Sequence, residues 1–107
     1  MASREIYNVV KLVPKPGKFN EVVEAFKTFS QHIQDNELKT QIYLALRPTD
    51  KEELILVEKY TDGDNLKAHM GSPEFMQFSR AVGPCLTQAP EIRGATFVAG
   101  LEGRSKL

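Results

Sequence analysis

Residues 53–82 read ELILVEKYTDGDNLKAHMGSPEFMQFSRAV, and the order of elements in this stretch decides the fold. The first nine residues, 53–61, are rich in large apolar and aromatic side chains, as a strand is. Asp62 or Asp64 can then cap a short helix that carries Leu66, His69 and Met70 and ends at Gly71. Ser72 is a good N-cap for a second helix. Pro73 sits where its missing N–H does no harm, Glu74 complements the helix N-terminus, and Phe75, Phe78 and Val82 share a face. Gly83 and Pro84 break that helix, and residues 85–89 continue irregularly.

Working upstream, residues 40–47 (TQIYLALR) alternate Ile42, Leu44 and Leu46 against Tyr43, Ala45 and Arg47. Pro48, Thr49, Asp50 and Lys51 turn this segment back into the next strand, which makes a hairpin. Before it, Phe19, Val22, Val23, Phe26, Phe29 and Ile33 recur at steps of three and four. That is one stripe on a helix running from just after Gly17 to about residue 36, with Glu24, Lys27, Gln31 and Gln34 on the other side. Residues 5–13 (EIYNVVKLV), closed by Pro14 and Pro16, read as the first strand, and residues 91–101 (EIRGATFVAGL) as the fourth. The order β–α–β–β–α–β is the split βαβ, ferredoxin-like arrangement of the α+β class, a four-stranded antiparallel sheet with its helices on one face.

Apolar residues fall on both parities of three strands: Ile6, Val10 and Leu12 against Tyr7, Val9 and Val13; Ile42, Leu44 and Leu46 against Tyr43 and Ala45; Ile92 and Val98 against Ala95, Phe97 and Ala99. A sheet with one wet face alternates polar and apolar residues, so this one is expected to be covered on both sides. A second copy of the chain is the simplest cover, giving a dimeric α/β barrel. The 107 residues suffice for one domain, expected over 1–102, with a flexible tail over 103–107. A domain this small is marginal alone and gains from a partner subunit.

Lys plus Arg number 14 and Asp plus Glu 14, a formal net charge of zero, which removes the electrostatic case for nucleic acid or an anionic membrane as main partner. Charged residues interrupt every apolar stretch well short of a membrane span. Cys85 is the single cysteine and cannot form an intramolecular disulfide; it reads as a small buried hydrophobe in a reducing compartment. MASREIYN lacks the apolar region of a secretory signal. Ser105, Lys106 and Leu107 spell the S-K-L address read by the peroxisomal import receptor, so the expected location is peroxisomal in a eukaryote and cytoplasmic otherwise.

The chain resembles the antibiotic biosynthesis monooxygenase domain, a dimeric α/β-barrel family, from the first strand to the fourth. The resemblance is carried chiefly by Leu56, Val57, Glu58, Lys59, Tyr60, Thr61 and Asp62, followed by Leu66, His69, Ser72, Phe75 and Phe78. Glu37 with Tyr43 is similar to the family's E-x5-Y, although Leu38, Lys39 and Thr40 stand where a Pro-Gly and a small residue are usual. The resemblance implies several possible activities: cofactor-independent oxygenases of anthrone-type and quinol-type aromatics, haem-degrading oxygenases, or small-molecule isomerases. Asn8 fits the haem branch's strand-one Asn, but Tyr60 stands at its Trp and Ser79 at its iron-ligating His. The branch implied is therefore the cofactor-independent one, acting on a small phenol, quinol or anthrone. The alternative is a binding protein or isomerase of the same barrel fold.

Such an oxygenase needs an apolar pocket and a base. His69 is the candidate base, since an ordinary imidazole titrates near neutrality; otherwise it is a surface or capping histidine. Tyr60 can donate to a developing oxyanion or pack as a satisfied core tyrosine, and Asn8 can bind a substrate oxygen or serve as a buried structural amide. Glu58 can pair with an Arg such as Arg93, or orient His69. Tyr43, Phe75 and Phe78 read as core and as pocket wall. His32 reads as solvent-facing, and no metal-ligand spacing is evident in the sequence.

Overall fold

The computed structural model describes residues 4–104. The elements run β1 (Ile6–Leu12), α1 (Phe19–Asn36), β2 (Thr40–Leu46), β3 (Leu54–Tyr60), α2 (Gly63–Met70), α3 (Pro73–Val82) and β4 (Glu91–Ala95), with a single 3-10 turn at Gly83–Cys85. All strand pairs are antiparallel and the sheet order is β2-β3-β1-β4, which is the βαββαβ ferredoxin-like topology. Ser105, Lys106 and Leu107 lie outside the described residues.

The helix periodicity explains the core. Val22, Phe26, Phe29 and Ile33 turn α1 toward the sheet, where Val10, Leu12, Leu54 and Leu56 form one apolar face. Phe26 stacks on Tyr43 with ring centroids 5.1 Å apart, and Phe29 stacks on Phe78 at 5.2 Å, so aromatic side chains join α1 both to β2 and to α3. Each fully buried aliphatic side chain here contributes about 1.5–3 kcal/mol of transfer free energy. The caps are as the residue types require: Asp62 accepts from the Asn65 amide at 2.8 Å, and Ser72 accepts from the Phe75 amide at 3.1 Å.

Several expectations are corrected. β4 ends at Ala95 rather than at 101: its antiparallel ladder with β1 runs from Lys11–Glu91 to Tyr7–Ala95, and β1 itself begins only one residue earlier, at Ile6, so it offers no partner for residues 97–101. Phe97, Val98 and Leu101 are left exposed on an unpaired segment. That segment returns over the far face of the sheet, where Glu102 accepts hydrogen bonds from Tyr7 and from Lys59. Cys85 is buried but does more than pack: its Sγ donates to Glu21 Oε2 at 2.7 Å. His32 is not turned to solvent but packs on Phe29, with Nε2 3.4 Å from Glu74 of α3.

The expected hairpin carries one irregularity that matters. Thr40 faces Tyr60 and Tyr43 faces Glu58, so Gln41 is an extra residue in β2. This bulge puts Thr40 and Tyr43 on the same, helix-covered face of the sheet, which a regular two-residue alternation would forbid.

On the far face, Val9, Leu44 and Leu46 stay largely exposed. No helix among the described residues is long and apolar enough to cross a membrane.

Candidate functional site

Strand register builds the site. Tyr43, Glu58, Asn8 and Gly94 are successive partners across β2, β3, β1 and β4, so they form one polar row on the helix-covered face. The next row is Ala45, Leu56, Val10 and Ile92, wholly apolar. Above both rows, α2 and α3 leave a cavity of about 260 Å³ between themselves and the sheet. Its walls include Val10, Leu56, Leu66, Phe75, Phe78 and Val82, and its floor brings in Asn8, Glu58 and Tyr43. His69 enters from α2, and the exposed Met70 and Ile92 stand at the rim. An apolar pocket with a few convergent polar groups is how small-molecule sites are generally built.

Glu58 is 6% exposed. Burial pushes its carboxyl above the ordinary range, while the Tyr60 hydroxyl, the charge of His69 and the Asn8 side chain pull the other way. Tyr60 donates its hydroxyl to Glu58 Oε1 at 2.6 Å. Both phenols, the buried Tyr60 and the partly buried Tyr43, are pushed well above the ordinary tyrosine range, first by desolvation and then by Glu58. They are therefore neutral hydrogen-bond donors at any physiological pH.

Of the residues singled out from the sequence, Asn8, Tyr43, Glu58, His69, Phe75 and Phe78 meet around this one cavity. Tyr60 does not line it. It is fully buried behind Glu58, with its ring 5.1 Å from that of His69. Among the described residues Glu58 makes no salt bridge with Arg93 or His69; it accepts the Tyr60 hydroxyl at Oε1, while the charge of His69 still acts on it. The carboxylate on His69 is Glu37, whose Oε1 lies 2.9 Å from Nδ1.

Three residues of the site were not among the candidates drawn from the sequence: Thr40, Asn65 and Glu37, the last noted only for its spacing from Tyr43. Thr40 donates to Glu37 Oε1 at 2.9 Å, and Asn65 donates to Thr40 Oγ1 at 3.3 Å while accepting from the Thr61 amide at 3.0 Å. The spacing of Glu37 from Tyr43 was legible, but nothing local links Glu37 to a histidine 32 residues away. Among the described residues, no three His, Cys, Asp or Glu side chains gather as ligands for a metal ion.

The sequence profile of the antibiotic biosynthesis monooxygenase family matches residues 5–81. A solved structure from Caulobacter crescentus that carries the family's name is 28% identical, covering 91% of this chain and 92% of its own with a TM-score of 0.84. A conserved protein of Methanosarcina mazei is 24% identical over 85% of this chain and 90% of its own, with a TM-score of 0.79. A Mycobacterium tuberculosis protein is 22% identical over 94% and 99%, again with a TM-score of 0.79. The last two share the fold. No curated protein matches the chain.

Proposed function

From the premise that this chain belongs to the antibiotic biosynthesis monooxygenase family, we propose that it is a cofactor-independent oxygenase acting on a small phenolic, quinol or anthrone-type aromatic. The observation that carries this reading is the apolar cavity of about 260 Å³, whose polar groups include Asn8, Glu58 and His69. An electron-rich aromatic fits between Phe75, Phe78 and the aliphatic row of the sheet. His69 takes a proton from the substrate at Nε2, the nitrogen left over when Nδ1 is engaged by Glu37. Asn8 supplies an amide to a substrate oxygen, with Glu58 beside it, and Tyr60 holds Glu58 in place.

The carbanion or phenolate so formed is the electron donor, and dioxygen is the oxidant. For an anthrone methylene, the two C–H hydrogens leave with one oxygen atom as water, and the other oxygen atom becomes the new carbonyl. The electrons come from the substrate, so this chemistry needs neither metal nor flavin.

The reading includes a homodimer. Val9, Leu44 and Leu46 on the far face of the sheet, and Phe97, Val98 and Leu101 beyond β4, are apolar surface of the kind that a second copy would cover.

The experiment is oxygen uptake by the purified protein over a panel of anthrones, naphthalenediols and other quinols, beside His69→Ala. Uptake that falls by about 10²-fold or more in the variant is the expected result for loss of a general base. Thermal stabilisation by the same compounds without any oxygen uptake would replace the oxygenase reading with the binding or isomerase one.

A further inference from the structure

The His69 ring is enclosed by four others: Tyr60, Phe29, Tyr43 and Phe75, with centroids at 5.1, 5.2, 5.5 and 5.5 Å. Its single polar contact among the described residues is Nδ1 to Glu37 Oε1. That oxygen also accepts the Thr40 hydroxyl at 2.9 Å; an ionised carboxylate is an acceptor only, so beside it the proton of a neutral His69 sits on Nδ1. Nε2 is then the nitrogen with a free lone pair.

The carboxylate has little else to do. Its other oxygen, Oε2, is buried and has no hydrogen-bond partner among the described residues. Leaving a buried acceptor unpaired is costly, the more so when it is charged. A carboxylate kept merely to tie α1 to α2 would be better placed with both oxygens bonded. Here both hydrogen bonds converge on the one oxygen that meets the imidazole.

Among the described residues no other carboxylate pairs directly with His69, and Glu58 acts on it only through charge. Glu58, Tyr43 and Tyr60 are the titratable groups packed nearby from β2 and β3, and Tyr60 and Glu58 bond to each other. Glu37 itself is braced from two directions: by Thr40, which the β2 bulge turns inward and which Asn65, placed by the Asp62 cap, holds in turn; and by its own amide, which donates to the Ile33 carbonyl at 2.8 Å.

We propose that Glu37 is the positioning residue of His69: it holds the ring as the Nδ1–H tautomer with Nε2 presented as the base, and balances the positive charge the ring gains. When Nε2 accepts the substrate's proton, no bond to Glu37 breaks, and the imidazolium then lies beside a carboxylate 2.9 Å away. Glu37 touches neither substrate nor the reacting atoms. This inference rests on the reading of His69 as the base, but its first test does not need turnover.

Long-range nitrogen–proton NMR on the ligand-free protein at about pH 8 reads the tautomer of neutral His69 directly. The expected result is a proton on Nδ1 in the wild-type protein, with the preference lost in Glu37→Ala. A wild-type ring protonated on Nε2, or a Glu37→Ala ring still protonated on Nδ1, would overturn the proposal. The wild-type measurement stands even where Glu37→Ala fails to fold.

Where the oxygenase activity is found, Glu37→Gln is expected to lower kcat by about 10²-fold or more with KM within about threefold. An unchanged kcat with a raised KM would make Glu37 a binding residue instead. Absence of any oxidation would count against the oxygenase reading and leave the tautomer result to decide the role of Glu37.

Discussion

Glu58 carries its carboxyl into the cavity floor against the cost of desolvation, and its proton is held more tightly in the folded protein than in the unfolded chain. The sign of the pH effect follows. A raised carboxyl favours the folded state below the ordinary carboxylate range, and that contribution is lost as pH rises through the folded value. Glutamine keeps the acceptor for Tyr60 and has no charge to bury. Thermal melts of Glu58→Gln and wild type should therefore coincide near pH 4 and separate by pH 8, with the variant the more stable. A gap that does not grow with pH would show that the Glu58 charge is not penalised by its site. Asn8, Glu58 and His69 were all legible as polar residues set among apolar ones. The Tyr60 hydroxyl, by contrast, is spent on Glu58, a two-residue relation within one strand that the residue types alone leave undecided.

Helix α2 has only the eight residues Gly63–Met70 and yet must hold His69, so its N-terminus matters more than its length suggests. Asp62 caps it through the Asn65 amide, and the Asn65 side chain passes the constraint to Thr40 and Glu37. Asp62→Ala is expected to cost about 1 kcal/mol in urea unfolding, within the usual 0.5–2 for a lost N-cap. It should also speed amide hydrogen exchange along α2 more than along α1, because α1 has no side-chain cap to lose. Uniform acceleration in both helices would indicate global destabilisation instead. Caps and helix faces were readable because they depend on residues three or four apart. The bulge at Gln41 and the end of β4 were not, since each is set by the partner strand.

At the scale of the molecule, a four-stranded sheet covered by helices on one face leaves Val9, Leu44 and Leu46 exposed on the other. Light scattering at micromolar concentration should give about twice the 12.0 kDa chain mass. Leu44→Glu should shift it toward the monomer, since a buried unpaired charge at an interface costs several kcal/mol. A monomeric wild-type protein would remove the dimer from the reading.

The order of elements, the buried stripe of α1, the two helix caps and the two-sided apolar character of the strands followed from the amino-acid sequence, because periodicity and capping are short-range physics. Tertiary structure alone decided which carboxylate meets His69, which strand residues share the polar row, and where β4 stops. Each of these depends on groups brought together from distant parts of the chain, where pairing register and burial, rather than any local preference, select the partner.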